Sequence, residues 1–203
     1  TAAEGAVFKE AWFGTWCDDG ATYRLTDGKR VARGEFYRII VVDPAATDNA
    51  NSDYTAIGVF AIGPAGEVLV LDMIRERLAI EDVSPRVKLA WDLYRPMYIA
   101  LEGVGFQRAM GKLIRDALPQ VDLRLVDPQG KQKLVRALPA VARAENGKVY
   151  LPTPAPGWVR PFLEEVCSFT GNNDLHDDQV DCLAYSVALA GGAVESLGMP
   201  FVI

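Results

Sequence analysis

The chain has 203 residues, half of them hydrophobic and 24% charged, which fits one ample globular domain and excludes a long disordered tail. A net charge of −6 and a pI near 4.9 argue against a protein that holds nucleic acid by bulk electrostatics, but not against one that meets it through metal ions. The three cysteines, Cys17, Cys167 and Cys182, form no C-x-x-C pair, and no stretch reaches ~18 apolar residues. The start, Thr1-Ala2-Ala3-Glu4-Gly5, has no basic segment before an apolar core. Neither disulfide framework, zinc knuckle, membrane span nor signal peptide is indicated, so a soluble protein of a reducing cytoplasm is expected.

In chain order, residues 1–34 read as an irregular lead-in rich in aromatics (Phe8, Trp12, Phe13, Trp16) that must dock onto something. From Phe36 the β-branched run predicts a strand to Asp43, a polar turn over 47–53, a strand from Thr55 to Ile62, the turn Gly63-Pro64-Ala65-Gly66 and a strand from Val68 to Ile74. A helix from Ile80 to Tyr94 follows, then a strand from Met97 to Glu102, a helix from Phe106 to Leu118 and a short strand from Leu123 to Val126. A helix from Lys131 to Ala144, an Asn146-Gly147 turn, an edge strand from Lys148 to Leu151, a Pro-rich loop and a helix from Trp158 to Phe169 come next. A last helix, led by acids, runs to about Leu189. The expected fold class is α/β, a mixed sheet of three antiparallel strands followed by parallel strands, with helices on both faces. The domain is expected over 35–192, with a tail over 193–203.

The densest chemistry lies in Leu175-His176-Asp177-Asp178-Gln179-Val180-Asp181, three carboxylates and the only histidine with no cation among them. Acids at a helix start suit the dipole, and a solvated cap is one reading. The other is a cation site. On a helical wheel Asp177 and Asp181 lie about 40° apart beside the apolar stripe, where they cannot simply splay into water. Asp43 ends a buried strand that Pro44 stops, and Glu102 ends another, ahead of Gly103 and Gly105. Ligand sites in α/β sheets gather beyond such carboxyl ends, and a hard divalent cation would relieve the repulsion if these acids converge. Basic residues group at Lys131, Lys133, Arg136 and Arg143, and at Arg24, Lys29, Arg30 and Arg33; each group is either a phosphate-contacting edge or a solvated face.

The order of these features resembles the ribonuclease H-like fold and, more narrowly, the carboxyl-terminal nuclease domain of the large terminase subunit of tailed bacteriophages. The resemblance rests on Val41-Val42-Asp43-Pro44-Ala45, Ser52-Asp53-Tyr54-Thr55-Ala56, Ala100-Leu101-Glu102-Gly103, Lys131 to Ala137, Gly147 to Pro152 and His176 to Asp181, with Glu4 to Lys9 and Trp12-Phe13 ahead of them. It implies a metal-dependent endonuclease that cuts concatemeric double-stranded viral DNA during packaging. Asp43, Glu102, Asp177 and Asp178 would be the catalytic acids, and these four with Asp181 the ligands of two Mg2+ or Mn2+ ions about 3.5–4 Å apart. Asp43 would bridge the ions, and Lys131, Lys133 and Arg136 would contact the DNA backbone. His176 would orient a water or phosphate, or merely cap the helix. Which of Asp177, Asp178 and Asp181 is the primary ligand stays open, since the wheel favours Asp177 with Asp181 and the resemblance favours Asp177 with Asp178. The implied partners are double-stranded DNA, an ATPase motor domain of the same polypeptide, the portal protein and the small terminase subunit, in the cytoplasm of a bacterial host. Residues Gly105 to Leu113 do not make a phosphate loop, so the sequence looks like a domain excised from a longer protein. A Holliday-junction resolvase, a transposase-type nuclease or a non-catalytic docking module are the alternatives.

Overall fold

The computed structural model describes residues 5–45, 54–103, 107–127 and 130–191. Nine strands form one sheet: β1 (Gly14–Asp18), β2 (Thr22–Leu25), β3 (Arg30–Ala32), β4 (Tyr37–Asp43), β5 (Thr55–Ile62), β6 (Val68–Glu76), β7 (Tyr98–Glu102), β8 (Leu123–Val126) and β9 (Val149–Pro152). Five α-helices surround it: α1 (Ile80–Tyr94), α2 (Gln107–Ala117), α3 (Lys133–Glu145), α4 (Val159–Val166) and α5 (Asp178–Ala190). The strand order is β3-β2-β1-β9-β6-β5-β4-β7-β8, with β4, β5 and β6 antiparallel and β7, β8 and β9 joined in parallel, the mixed sheet expected from the sequence. The expected turn over 47–53, the start of the second helix at 106 and the tail over 193–203 lie outside the described residues.

Strand alternation sorts the core onto two faces. Ile39, Val41, Tyr98 and Ala100 pack beneath Ala137, Ala140 and Ala144 of α3, Phe162 of α4, and Val180 and Leu183 of α5. The alternate residues Ile40, Val42, Ile99 and Leu101 pack beneath Val83 and Val87 of α1 and Met110 and Ile114 of α2. The central strands are buried on both sides, which is why they read as continuous apolar runs. A fully buried Val, Leu or Ile contributes roughly 1.5–3 kcal/mol, so this double burial fixes the strand ends rigidly.

Two expectations are corrected. The segment expected to be an irregular lead-in forms the meander β1 to β3, and the sheet continues into it because β1 pairs in parallel with β9, Gly14 opposite Tyr150. For the same reason the strand expected at the edge is internal, held between β1 and β6. The lead-in aromatics dock as required. Phe8 is buried against Phe13 and Phe169, Phe13 meets Phe162 edge-on, and the Trp16 indole donates to the Val70 carbonyl at 3.1 Å. Among the described residues no helix is long and apolar enough to cross a membrane.

Candidate metal centre

Sheet register assembles the site. β4 and β7 run in parallel with Val42 opposite Leu101, so Asp43 and Glu102 end the two strands side by side. On the other side Asp43 pairs with Ala56, and Ala56 with Arg75 of β6. Residues along one register row face the same way, so Glu102, Asp43 and Arg75 project onto the face covered by α3 and α5. The small Ala56 between them leaves room for α5 to descend. Its Cys182 Sγ lies 3.6 Å from the Val41 carbonyl and 3.7 Å from that of Ala56, which brings the first turn of α5 over the strand ends.

That approach closes the acid cluster. One carboxylate oxygen each from Asp43, Glu102 and Asp181 lie within 4.8 Å of one another. Burial pushes the Asp43 carboxyl well up, and the neighbouring charges of Glu102, Asp181 and Asp178 push it further. Burial likewise raises Glu102, with the charge of Asp181 added to it. Asp178, the first residue of α5, is raised to about 6 by burial and then by Glu165. Ionised acids this close, and this desolvated, are costly without a cation. The donors are all hard oxygens, the ligand type that hard divalent cations prefer.

The sequence-derived acids do not all point inward alike. Asp177 is the residue that precedes the helix, with φ −149°, so the helical wheel does not apply to it. Its carboxylate accepts from Lys133 Nζ at 2.6 Å. Asp178 and Asp181, three residues apart on one face of α5, both act on Asp43. Lys133 Nζ also lies 3.6 Å from Asp181 Oδ2, and Arg136 NH2 donates to Asp181 Oδ1 at 2.7 Å. Lys133 and Arg136 therefore face the acids, whereas Lys131 is exposed. His176 meets the Tyr54 ring edge-on at 5.4 Å.

Several residues of the site were missed from sequence. Arg75 stacks over Tyr54 at 3.8 Å from the ring centroid, and its Nε lies 3.1 Å from Glu165 Oε2 and 3.7 Å from Asp178 Oδ2. The exposed Arg77 stands 4.7 Å from the same ring centroid. Glu165, almost fully buried, accepts from the Gln179 backbone N–H at 2.7 Å and from its side-chain amide at 2.6 Å, tying α4 to the first turn of α5. The Tyr185 hydroxyl, one turn beyond Asp181, faces Glu102. The signal for the arginines was present, since Arg75-Glu76-Arg77 ends a buried strand just as Asp43 and Glu102 do. Gly171, at φ +78°, lets the turn before His176 press on α3, where a Cβ would sit 2.5 Å from that of Leu134, next to Lys133.

The terminase RNase H-like domain family matches residues 40–189. Among solved structures, the large terminase nuclease from thermophilic phage G20c with bound magnesium is 17% identical. It covers 92% of this chain and 98% of its own, with a TM-score of 0.62. The same phage nuclease with bound zinc is 20% identical over 86% and 92% of the two chains, with a TM-score of 0.57. The human cytomegalovirus terminase nuclease domain is 13% identical over 79% and 87%, with a TM-score of 0.59. No curated protein sequence matches. With three-quarters of its length matched by the family and the mixed sheet of that fold, the chain belongs to the terminase RNase H-like domain family.

Proposed function

We propose that this chain is a divalent-metal-dependent endonuclease that cuts concatemeric double-stranded viral DNA as a genome is packaged. The observation that carries the reading is the convergence of Asp43, Glu102 and Asp181, from two strand ends and one helix, within a terminase RNase H-like chain. The G20c nuclease structures with bound magnesium and with bound zinc, and the manganese-soaked cytomegalovirus domain, support the use of a divalent cation. Two Mg2+ or Mn2+ ions held here would shield the scissile phosphate, activate a water and stabilise the leaving alkoxide.

The chain's own residues then take distinct parts. Asp43, central in the register row and flanked by the other acids, would hold the ions together with them. Glu102, Asp181 and, beside Arg75, Asp178 would supply the remaining carboxylates. Asp177 serves the site through Lys133. His176, against the Tyr54 ring, would orient a water or a substrate phosphate, and the exposed Lys131 would touch the DNA backbone. An ATPase motor of the same polypeptide would feed the DNA, beside the portal and with the small terminase subunit, in the cytoplasm of a bacterial host.

The test is cleavage of linear duplex in Mg2+ or Mn2+ by the wild-type chain and by Asp43→Asn. Loss of cutting in a variant that keeps its circular dichroism spectrum is the expected result. A folded Asp43→Asn protein that still cuts removes this site from the chemistry, and a strong preference for branched over linear DNA replaces the packaging role with junction resolution.

A further inference from the structure

We propose that the Lys133 ammonium is a resident counter-cation of the carboxylate cluster, which must swing out before a divalent ion can bind, so that this lysine sets the metal affinity of the site. The inference rests on the metal-dependent reading above and assigns to one residue a part that reading leaves open.

Asp181 offers two oxygens. Oδ1 is engaged by Arg136 NH2 at 2.7 Å, and Oδ2 faces Lys133 Nζ at 3.6 Å. With Oδ1 held by Arg136, Oδ2 is the oxygen for which the ammonium and an incoming ion would compete. The same ammonium is drawn in by Asp177 Oδ1 at 2.6 Å.

The two basic side chains differ in their freedom to leave. Arg136 is 11% exposed and lies over the Tyr185 ring, 5.7 Å from its centroid, which fixes it as a wall of the site. Lys133 is 47% exposed at the first residue of α3, a point charge on a flexible four-carbon stem. It can therefore vacate the cluster while Leu134 and Ala137, packed on the core, hold the start of α3 in place. Two cations of like sign cannot share these oxygens, and the divalent one gains more from them.

Calorimetric titration with Mn2+, without DNA, of the wild type, Lys133→Met and Lys133→Arg tests this. The methionine variant is expected to bind about tenfold more tightly, because the ion no longer has to displace an ammonium from Asp177 and Asp181. Lys133→Arg, which keeps the charge, should bind no more tightly than the wild type. A second measurement uses the wild-type chain alone: amine-reactive labelling followed by mass spectrometry, in chelator and in saturating Mg2+, with exposed Lys131 as the internal reference. Labelling of Lys133 relative to Lys131 should rise severalfold with Mg2+. Equal or weaker Mn2+ binding by Lys133→Met, or labelling that ignores Mg2+, overturns the inference while the metal-dependent reading stands. Absence of binding heat in all three proteins overturns both.

Discussion

Replacing Asp178 with asparagine isolates the ionisation cost of the first helical residue of α5. Its carboxyl is raised from 3.8 to about 6, chiefly by burial and then by the charge of Glu165, and its side chain is 21% exposed. At 1.36 kcal/mol per unit, that shift corresponds to about 3 kcal/mol of destabilisation in the ionised, metal-free protein, a net figure in which the favourable charge of Arg75, 3.7 Å away, is already counted. The sign follows from proton counting: between pH 3.8 and 6 the folded chain holds a proton that the unfolded chain has lost, so stability falls as pH rises through that window. Urea unfolding in chelator should find Asp178→Asn equal to the wild type near pH 4, and about 1–3 kcal/mol more stable at pH 7.5. That gain is a rise in Tm of several degrees for a chain of this size. Saturating Mn2+ should narrow or reverse the difference, because the wild type gains more from the ion. A variant whose stability follows the wild type in parallel from pH 4 to 7.5 in chelator refutes the crowding argument for the whole cluster.

Divalent ions should raise the Tm of the wild-type chain, by about 2.7 kcal/mol of added stability at a hundredfold excess over Kd; a scan unchanged by millimolar Mn2+ contradicts a preformed site. Arg77→Ala should weaken duplex binding severalfold in fluorescence anisotropy with Ca2+, without altering Mn2+ binding, because the exposed guanidinium stands beside Tyr54, the ring on which Arg75 stacks next to Asp178. With a net charge of −6, the isolated chain should cut duplex weakly and with little sequence preference, and lose binding steeply with added salt. Tight binding at physiological salt with one defined cut sequence contradicts both the charge argument and the packaging role.

The central sheet was legible because its strands carry their own evidence. The run Tyr37 to Asp43 is β-branched and buried on both faces, and Pro44 marks its end, so strand and acid were found together. The meander was not, because β1 to β3 are only three to five residues long and rich in polar residues, and they gain their place through a pairing between Gly14 and Tyr150 that no local pattern reveals. Missing that pairing also made β9 look like an edge. In the site, each acid was legible as a type, but the direction of Asp177 was not. A helical wheel presumes that the residue is helical, and its φ of −149° turns the carboxylate toward Lys133 instead.

Direction, rather than identity, is what the fold adds to the basic residues as well. Lys133 and Arg136 are three apart and start the face of α3 that continues through Ala137, Ala140 and Ala144, the alanines that press on the sheet. Because those alanines are small, α3 sits close to α5, and the lysine and arginine at its start reach Asp177 and Asp181 instead of open solvent. The same closeness depends on Gly171, where any side chain would meet Leu134 and also oppose a φ of +78°. The acids, the two cations that hold them and the turn that seats α3 thus form one packed unit. A substitution at Gly171, which belongs to no ligand set, is therefore coupled to the metal centre through the position of Lys133.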